Sequence, residues 1–169
     1  MSTKFGESAM PDRVYIETTF VSYLKARPSR DIVIAAHQQI AHQWWNTRRA
    51  SYELCIAEPV LEEAALGDPQ AAQGRLDVLS AMSLLRTTAA ATALAKALIE
   101  AGALPANAAD DALHLAIAAV NRIPYLLTWN CRHLANARMR PIIESVCAAK
   151  GFKAPIVCTP EELMEAKES

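Results

Sequence analysis

The sequence predicts an α/β protein, a three-layer α/β/α sandwich around a central parallel sheet of four to five strands. Two observations carry the prediction. Short unbroken apolar runs recur along the chain, without the polar alternation of a sheet that faces water on one side. Segments of helical periodicity separate each run from the next, and alternating strands and helices build parallel sheets covered on both faces. The chain has 169 residues, 52% of them hydrophobic, which suits one folded domain with a substantial core.

The elements follow in order. Residues 1–12 (MSTKFGESAMPD) are polar and predict a flexible tail. They lack the apolar core of a secretory signal. A single domain is expected over residues 13–169. Residues 13–17 read as the first strand, ending in Glu17, and Thr18 or Thr19 can cap the helix that runs to about Arg27. After the break at Pro28-Ser29, Ile32, Ala35, Ala36, Ile40 and Trp44 recur at helical spacing, with Arg48 and Arg49 in the last turn, where cations suit the helix dipole. Residues 53–57 (ELCIA) are the second strand. Glu58-Pro59 opens a short helix through Glu62 and Glu63, which ends before Gly67-Asp68-Pro69.

Residues 70–80 are helical, residues 83–86 a third strand, and residues 90–101 a helix stopped by Gly102. A helix over residues 108–121 carries Asp110, Asp111 and His114. Residues 125–128 (YLLT) are a strand, residues 130–137 a loop with a short helix, and residues 139–150 a helix ended by Gly151. The last strand is 155–158. Thr159-Pro-Glu-Glu162 has the capping-box pattern and predicts a final helix.

Charge and cysteine content narrow the function. The net charge is −1, so nucleic-acid contact must come from a local patch rather than a global field. Cys55, Cys131, Cys147 and Cys158 form no C-x-x-C pair and read as reduced thiols of a cytoplasmic protein. A zinc site on Cys131 and His133 lacks paired-ligand spacing. No apolar run is long enough to span a membrane.

Open parallel sheets place their sites beyond the carboxyl ends of the strands. Glu17 ends the first strand, Glu62 and Glu63 follow the second by one turn, Trp129 and Asn130 end the strand at 125–128, and Asp110 and Asp111 begin the helix before it. Converging carboxylates repel unless a cation sits among them, and oxygen ligands suit Mg²⁺ or Mn²⁺. Such an ion can activate water and offset the charge on a phosphodiester under attack. The plainer alternatives are a solvated helix face for Glu58, Glu62 and Glu63, a dipole role for Asp110 and a turn role for Asn130. His114 reads as a hydrogen-bonded structural histidine, and Trp44 and Trp45 as core or dimer face.

Four blocks, in this order, resemble the PIN-domain family of metal-dependent nucleases, the fold of VapC-type toxins: VYIETTFVSYL (14–24), VLEEAALGD (60–68), ADDALHLAIA (109–118) and LLTWNCRHLAN (126–136). The resemblance covers about residues 13–159. It selects Glu63 over Glu62 and Asp111 over Asp110. It implies a ribonuclease that hydrolyses RNA phosphodiesters, with Glu17, Glu63 and Asp111 holding Mg²⁺ or Mn²⁺ and Asn130 completing the catalytic set. Thr18 or Thr19 would orient the acid or the phosphate. Arg132, His133, Arg138 and Arg140 would meet the RNA backbone, with Arg48 and Arg49 a second patch, although all six suit a solvated surface equally well. A homodimer and a small antitoxin partner are also implied. Glu17 stands where the family most often has Asp, and Asn130 replaces a usual acid. These departures motivate an alternative: a PIN-like module with little catalysis that binds nucleic acid or protein.

Overall fold

The computed structural model describes residues 10–165. Five strands form: β1 Arg13–Ile16, β2 Glu53–Ala57, β3 Ser83–Leu85, β4 Tyr125–Leu127 and β5 Ile156–Cys158. Seven α-helices connect them: α1 Thr18–Lys25, α2 Ile32–Thr47, α3 Glu58–Ala64, α4 Pro69–Leu79, α5 Ala89–Glu100, α6 Ala109–Val120 and α7 Arg140–Ala149. The sheet order is β3-β2-β1-β4-β5 and every pairing is parallel. This is the predicted α/β class, with the full five strands.

The central strand explains why the apolar runs do not alternate. Val14, Tyr15 and Ile16 of β1 are all fully buried, because helices cover both faces. Val14 pairs with Leu54 on one side and with Tyr125 on the other. Helices α1 to α4 pack among themselves, and α5 packs on both α6 and α7. That grouping follows from the chain path. The first crossovers step outward from β1 to β3, the chain returns past β1 to β4, and right-handed crossovers in opposite directions fall on opposite faces. The reversal of direction lies between β1 and β4, so the crevice at their carboxyl ends is where an open sheet offers a site.

Some local expectations change. Residues 130–137 contain turns and no helix. The capping box at Thr159 forms, with the Glu162 carboxylate accepting Thr159 N at 2.9 Å, but a turn rather than a helix follows through Leu163. Trp44 is wholly interior, and Trp45 is half-buried under the Arg49 guanidinium, 4.6 Å from its ring centre. The exposed apolar surface of α2 is instead Ile32, Val33 and Ile34 at its start. Residues 1–9 of the expected tail lie outside the described residues, and residues 10–12 carry no regular structure.

Candidate metal centre at the switch point

Glu17 follows β1 directly and turns the chain into α1. Its backbone is extended (φ −83°, ψ 153°), and its own side chain caps the helix by accepting Thr19 N at 3.1 Å. The expected threonine cap is therefore a glutamate. The same oxygen, Oε2, accepts the hydroxyls of Thr19 and Thr128, the latter at 2.7 Å. Each hydroxyl is aimed by a backbone amide leaving β4. Trp129 N donates to Thr19 Oγ1 and Asn130 N to Thr128 Oγ1, both at 2.9 Å. With those lone pairs engaged, the hydroxyl protons point to the carboxylate. The network ties the ends of β1 and β4 together across the reversal point. Oε1 of Glu17 takes no hydrogen bond among the described residues.

Glu17 is 2% exposed. Burial pushes its pKa up, against the nearby His114 charge and the bonds from Thr19 and Thr128, and burial prevails.

Glu63 sits at the end of α3, half-buried, while Glu62 is exposed. Its Oε1 meets His114 Nε2 at 2.6 Å, and His114 Nδ1 lies 2.7 Å from the Tyr15 hydroxyl. A carboxylate can only accept, so Nε2 carries the proton in this bond. Nδ1 accepts from Tyr15 when the imidazole is neutral and donates to it when charged. Burial alone would lower the His114 pKa, but the Glu63 bond and the charges of Glu17, Glu63 and Asp111 outweigh it and raise it. Burial also works to raise Glu63, but the bond and charge of His114 hold that carboxyl below its usual range. Thr18 adds a little: its hydroxyl is buried and meets no full hydrogen-bond geometry, yet it is near enough to Glu63 to lower it further. Of the two threonines, Thr19 orients the first acid, and Thr18 lies beside Glu63.

Asp111 opens α6, one turn before His114 on the same face. It is half-buried, and burial raises its pKa; the Asn130 amide and the His114 and His133 charges oppose this, and the Glu63 charge reinforces it. Asn130 spends its Oδ1 on His133 N at 3.1 Å, so it holds its turn as well as flanking Asp111.

Among the described residues, one group of His, Cys, Asp and Glu side chains is close enough to share an ion: Glu17, Glu63 and His114, with ligand atoms within 4.8 Å of one another. Asp111 stands outside that set while acting on its charges. Cys131 and His133 gain no third ligand. Sequence reasoning did not place His114 at the junction, nor Tyr15 and Thr128 in the network. The available signal was the period of two along β1, which puts Tyr15 on the face of Glu17, together with the rule that a buried phenol needs a partner.

Of the expected basic residues, Arg132 and Arg138 are exposed, His133 is half-buried with Nδ1 unpartnered, and Arg140 pairs with Glu162 at 3.5 Å. Arg48 pairs with Glu165 at 2.7 Å and Arg49 lies on Trp45, so the second patch is largely engaged within the chain.

No family model and no curated protein matches the sequence. Solved structures do. VapBC2 from Rickettsia felis, bound to a DNA fragment from their promoter, aligns with 87% of this chain and 98% of the matched chain, at 16% identity and a TM-score of 0.55. VapC20 of Mycobacterium tuberculosis, a sarcin-ricin loop cleaving toxin, aligns over 73% and 95%, at 14% identity and a TM-score of 0.58. The chain has the PIN fold of these VapC-type toxin structures.

Proposed function

We propose that this chain is a divalent-metal-dependent endoribonuclease of the VapC type, the toxin of a toxin–antitoxin pair. The observation that supports the reading is that Glu17 and Glu63, from separate stretches of chain, bring ligand atoms within 4.8 Å of each other and of His114 at the carboxyl end of the sheet, with Asp111 near enough to act on their charges. The donors suit a divalent cation: two carboxylates and an imidazole within reach of one another, one oxygen of Glu17 without a hydrogen bond among the described residues, and a third carboxylate, Asp111, close by. Glu17, Glu63 and Asp111 would hold Mg²⁺ or Mn²⁺. Bound there, the ion supplies activation of water and neutralisation of charge on the phosphodiester.

The chain's own residues do the rest. Thr19 and Thr128 fix the Glu17 carboxylate so that one oxygen is spent internally and the other is left without a hydrogen bond among the described residues. Tyr15 and His114 fix Glu63 in the same way. Asn130 flanks Asp111. Arg132 and Arg138, exposed just beyond β4, give the RNA backbone a local positive surface that the net charge of −1 does not. A cytoplasmic location, a homodimer and a small antitoxin covering the crevice belong to the same reading. No helix among the described residues is long and apolar enough to cross a membrane.

A second reading has its own observation in favour. His114 already binds Glu63 and lies close to Glu17, so the acids have a partner without metal, as a binding module with little catalysis would need. Cleavage of a mixed RNA pool over a Mn²⁺ series, comparing wild type with Asp111→Asn, separates the two. The nuclease reading expects cleavage by wild type and a loss of about 100-fold or more in the variant, the scale on which removing electrostatic stabilisation acts. Equal behaviour of both proteins at every Mn²⁺ level refutes it, and RNA binding retained in both then favours the module.

A further inference from the structure

We propose that His37, backed by Trp129, is a stacking platform for one nucleobase of single-stranded RNA beside the carboxylates. This rests on the ribonucleic-acid ligand of the preceding reading and adds a binding element outside the acid set. Trp129 follows Thr128, whose hydroxyl holds Glu17, and the Trp129 amide donates to Thr19. Its backbone is thereby tied into the same network, and the residue is only 7% exposed, so its indole backs another ring rather than offering an open face. His37 of α2 lies flat on it, with ring centres 4.1 Å apart and planes 11° from parallel. Tyr23 of α1 meets both rings at steeper angles, 58° to Trp129 and 69° to His37.

Two details set this apart from ordinary core packing. A buried structural histidine uses its nitrogens, as His114 does with Tyr15 and Glu63. The half-buried His37 makes no hydrogen bond among the described residues, and the indole Nε1 of Trp129 is a buried donor with no acceptor. Both rings therefore have polar edges unused by the protein. The loop between α1 and α2 adds charge. Gln38, next to His37 and 7% exposed, accepts Ser29 N and donates to Arg27 O, each at 2.9 Å. The loop it fastens carries Arg27 and Arg30, both exposed and outside any ion pair among the described residues. Aromatic faces beside cationic chain are what single-stranded nucleic acids bind, bases on the rings and phosphates on the arginines.

The test is binding of a labelled single-stranded RNA hexamer to the full chain, with Ca²⁺ replacing Mn²⁺ to screen the carboxylates. His37→Ala should weaken binding roughly 5- to 150-fold, the range for loss of one stacked base, while His37→Phe restores it. In wild type, one abasic position should cost a similar factor, and in His37→Ala that same position should cost nothing. Equal affinity of wild type and His37→Ala overturns the proposal, as does a His37→Phe variant as weak as alanine, an abasic penalty that persists in His37→Ala, or wild type that binds no RNA. Matching thermal unfolding of the three proteins excludes a folding defect. Mn²⁺-dependent cleavage of the same RNA is scored separately. Cleavage with His37-independent binding strikes this subsite alone, and His37-dependent binding without cleavage strikes the nuclease reading alone.

Discussion

Replacing Thr128 by valine tests the network that ties β1 to β4. The side chain is fully buried and valine matches its shape, so no cavity opens. What is lost is the hydroxyl that donates to Glu17 Oε2 at 2.7 Å and accepts Asn130 N at 2.9 Å. A hydrogen bond to a charged group contributes about 1.5–3 kcal/mol, and a neutral one about 0.5–1.5 kcal/mol. The Asn130 amide belongs to a half-buried residue that water can reach in part, so its share is small. The expected loss while Glu17 is ionised is about 2–3 kcal/mol. It should shrink to about 1 kcal/mol once Glu17 is protonated.

The direction in pH follows from linkage. Burial raises the Glu17 pKa above its ordinary 4.5 in the folded protein. The folded state therefore holds that proton more tightly than the unfolded chain. The resulting stability is fully present below the unfolded value and is lost as pH rises through the folded one. Thr128 is one of the groups holding the pKa down, so Thr128→Val raises it further and steepens that loss. Urea unfolding of both proteins over a pH series rising from the ordinary 4.5 measures it. A cycle with Glu17→Gln should show coupling of about 1 kcal/mol or more between the two positions. A loss that is the same across the whole series, or coupling near zero, would refute the reasoning.

Three further outcomes are expected. His114→Leu leaves Tyr15 and Glu63 without their partner and should cost about 3–5 kcal/mol, nearer the lower figure because the Glu63 side chain is 31% exposed. Because the His114 pKa is raised, its stabilisation is fully present below the ordinary 6.5 and fades as pH rises through the folded value; urea unfolding over a pH series should show the gap to wild type narrowing as pH rises past it. Mn²⁺ at about 100 times its Kd should stabilise wild type by about 2.7 kcal/mol, a rise in Tm of about 5–11 °C for a chain of this size; no shift at high Mn²⁺ counts against a preformed site, and an undiminished shift in Glu17→Gln removes Glu17 from it. Arg132→Ala and Arg138→Ala should each weaken RNA binding across sequences and lower the salt slope by about 0.7–1, with stability unchanged within about 0.5 kcal/mol; a salt titration of binding reads this directly.

The fold was largely legible because its signals are local. Apolar runs such as Tyr125–Leu127 and breakers such as Gly102 and Gly151, at φ +71° and +83°, act within a few residues, and all of them fall where the pattern puts them. The misreadings are also local, and each has a physical cause. The helix α1 is capped by Glu17 because a carboxylate held by Thr128 from a distant strand is already in position to accept Thr19 N. Propensity favours Ser, Thr, Asp or Asn there and cannot see the distant hydroxyl. The capping box at Thr159 forms its bonds, yet within the described residues only a turn follows. A cap satisfies the first amides of a helix but does not supply the packing that sustains one.

The candidate site was legible as a set of acids and illegible as a balance of charge. Glu17 announces itself because a carboxylate is costly in apolar sequence, and the resemblance to PIN domains picks out Glu63 and Asp111 from their neighbours. His114 does not, because its meaning depends on Glu63, 51 residues away, and on Tyr15, 99 residues away. Those contacts change what the acids can do. An acid cluster with no internal cation would depend on metal for its stability. This one holds an imidazole against Glu63 and near Glu17, so a divalent ion entering the crevice meets a site that is partly neutralised already. His114 would meet such an ion either as a competing neighbour of the carboxylates or, with its ligand atom within 4.8 Å of theirs, as a third ligand. Competition predicts that His114→Leu tightens Mn²⁺ binding, and ligation predicts that it weakens it. A Mn²⁺ titration of both proteins separates the two, and an unchanged Kd would remove His114 from the proposed site.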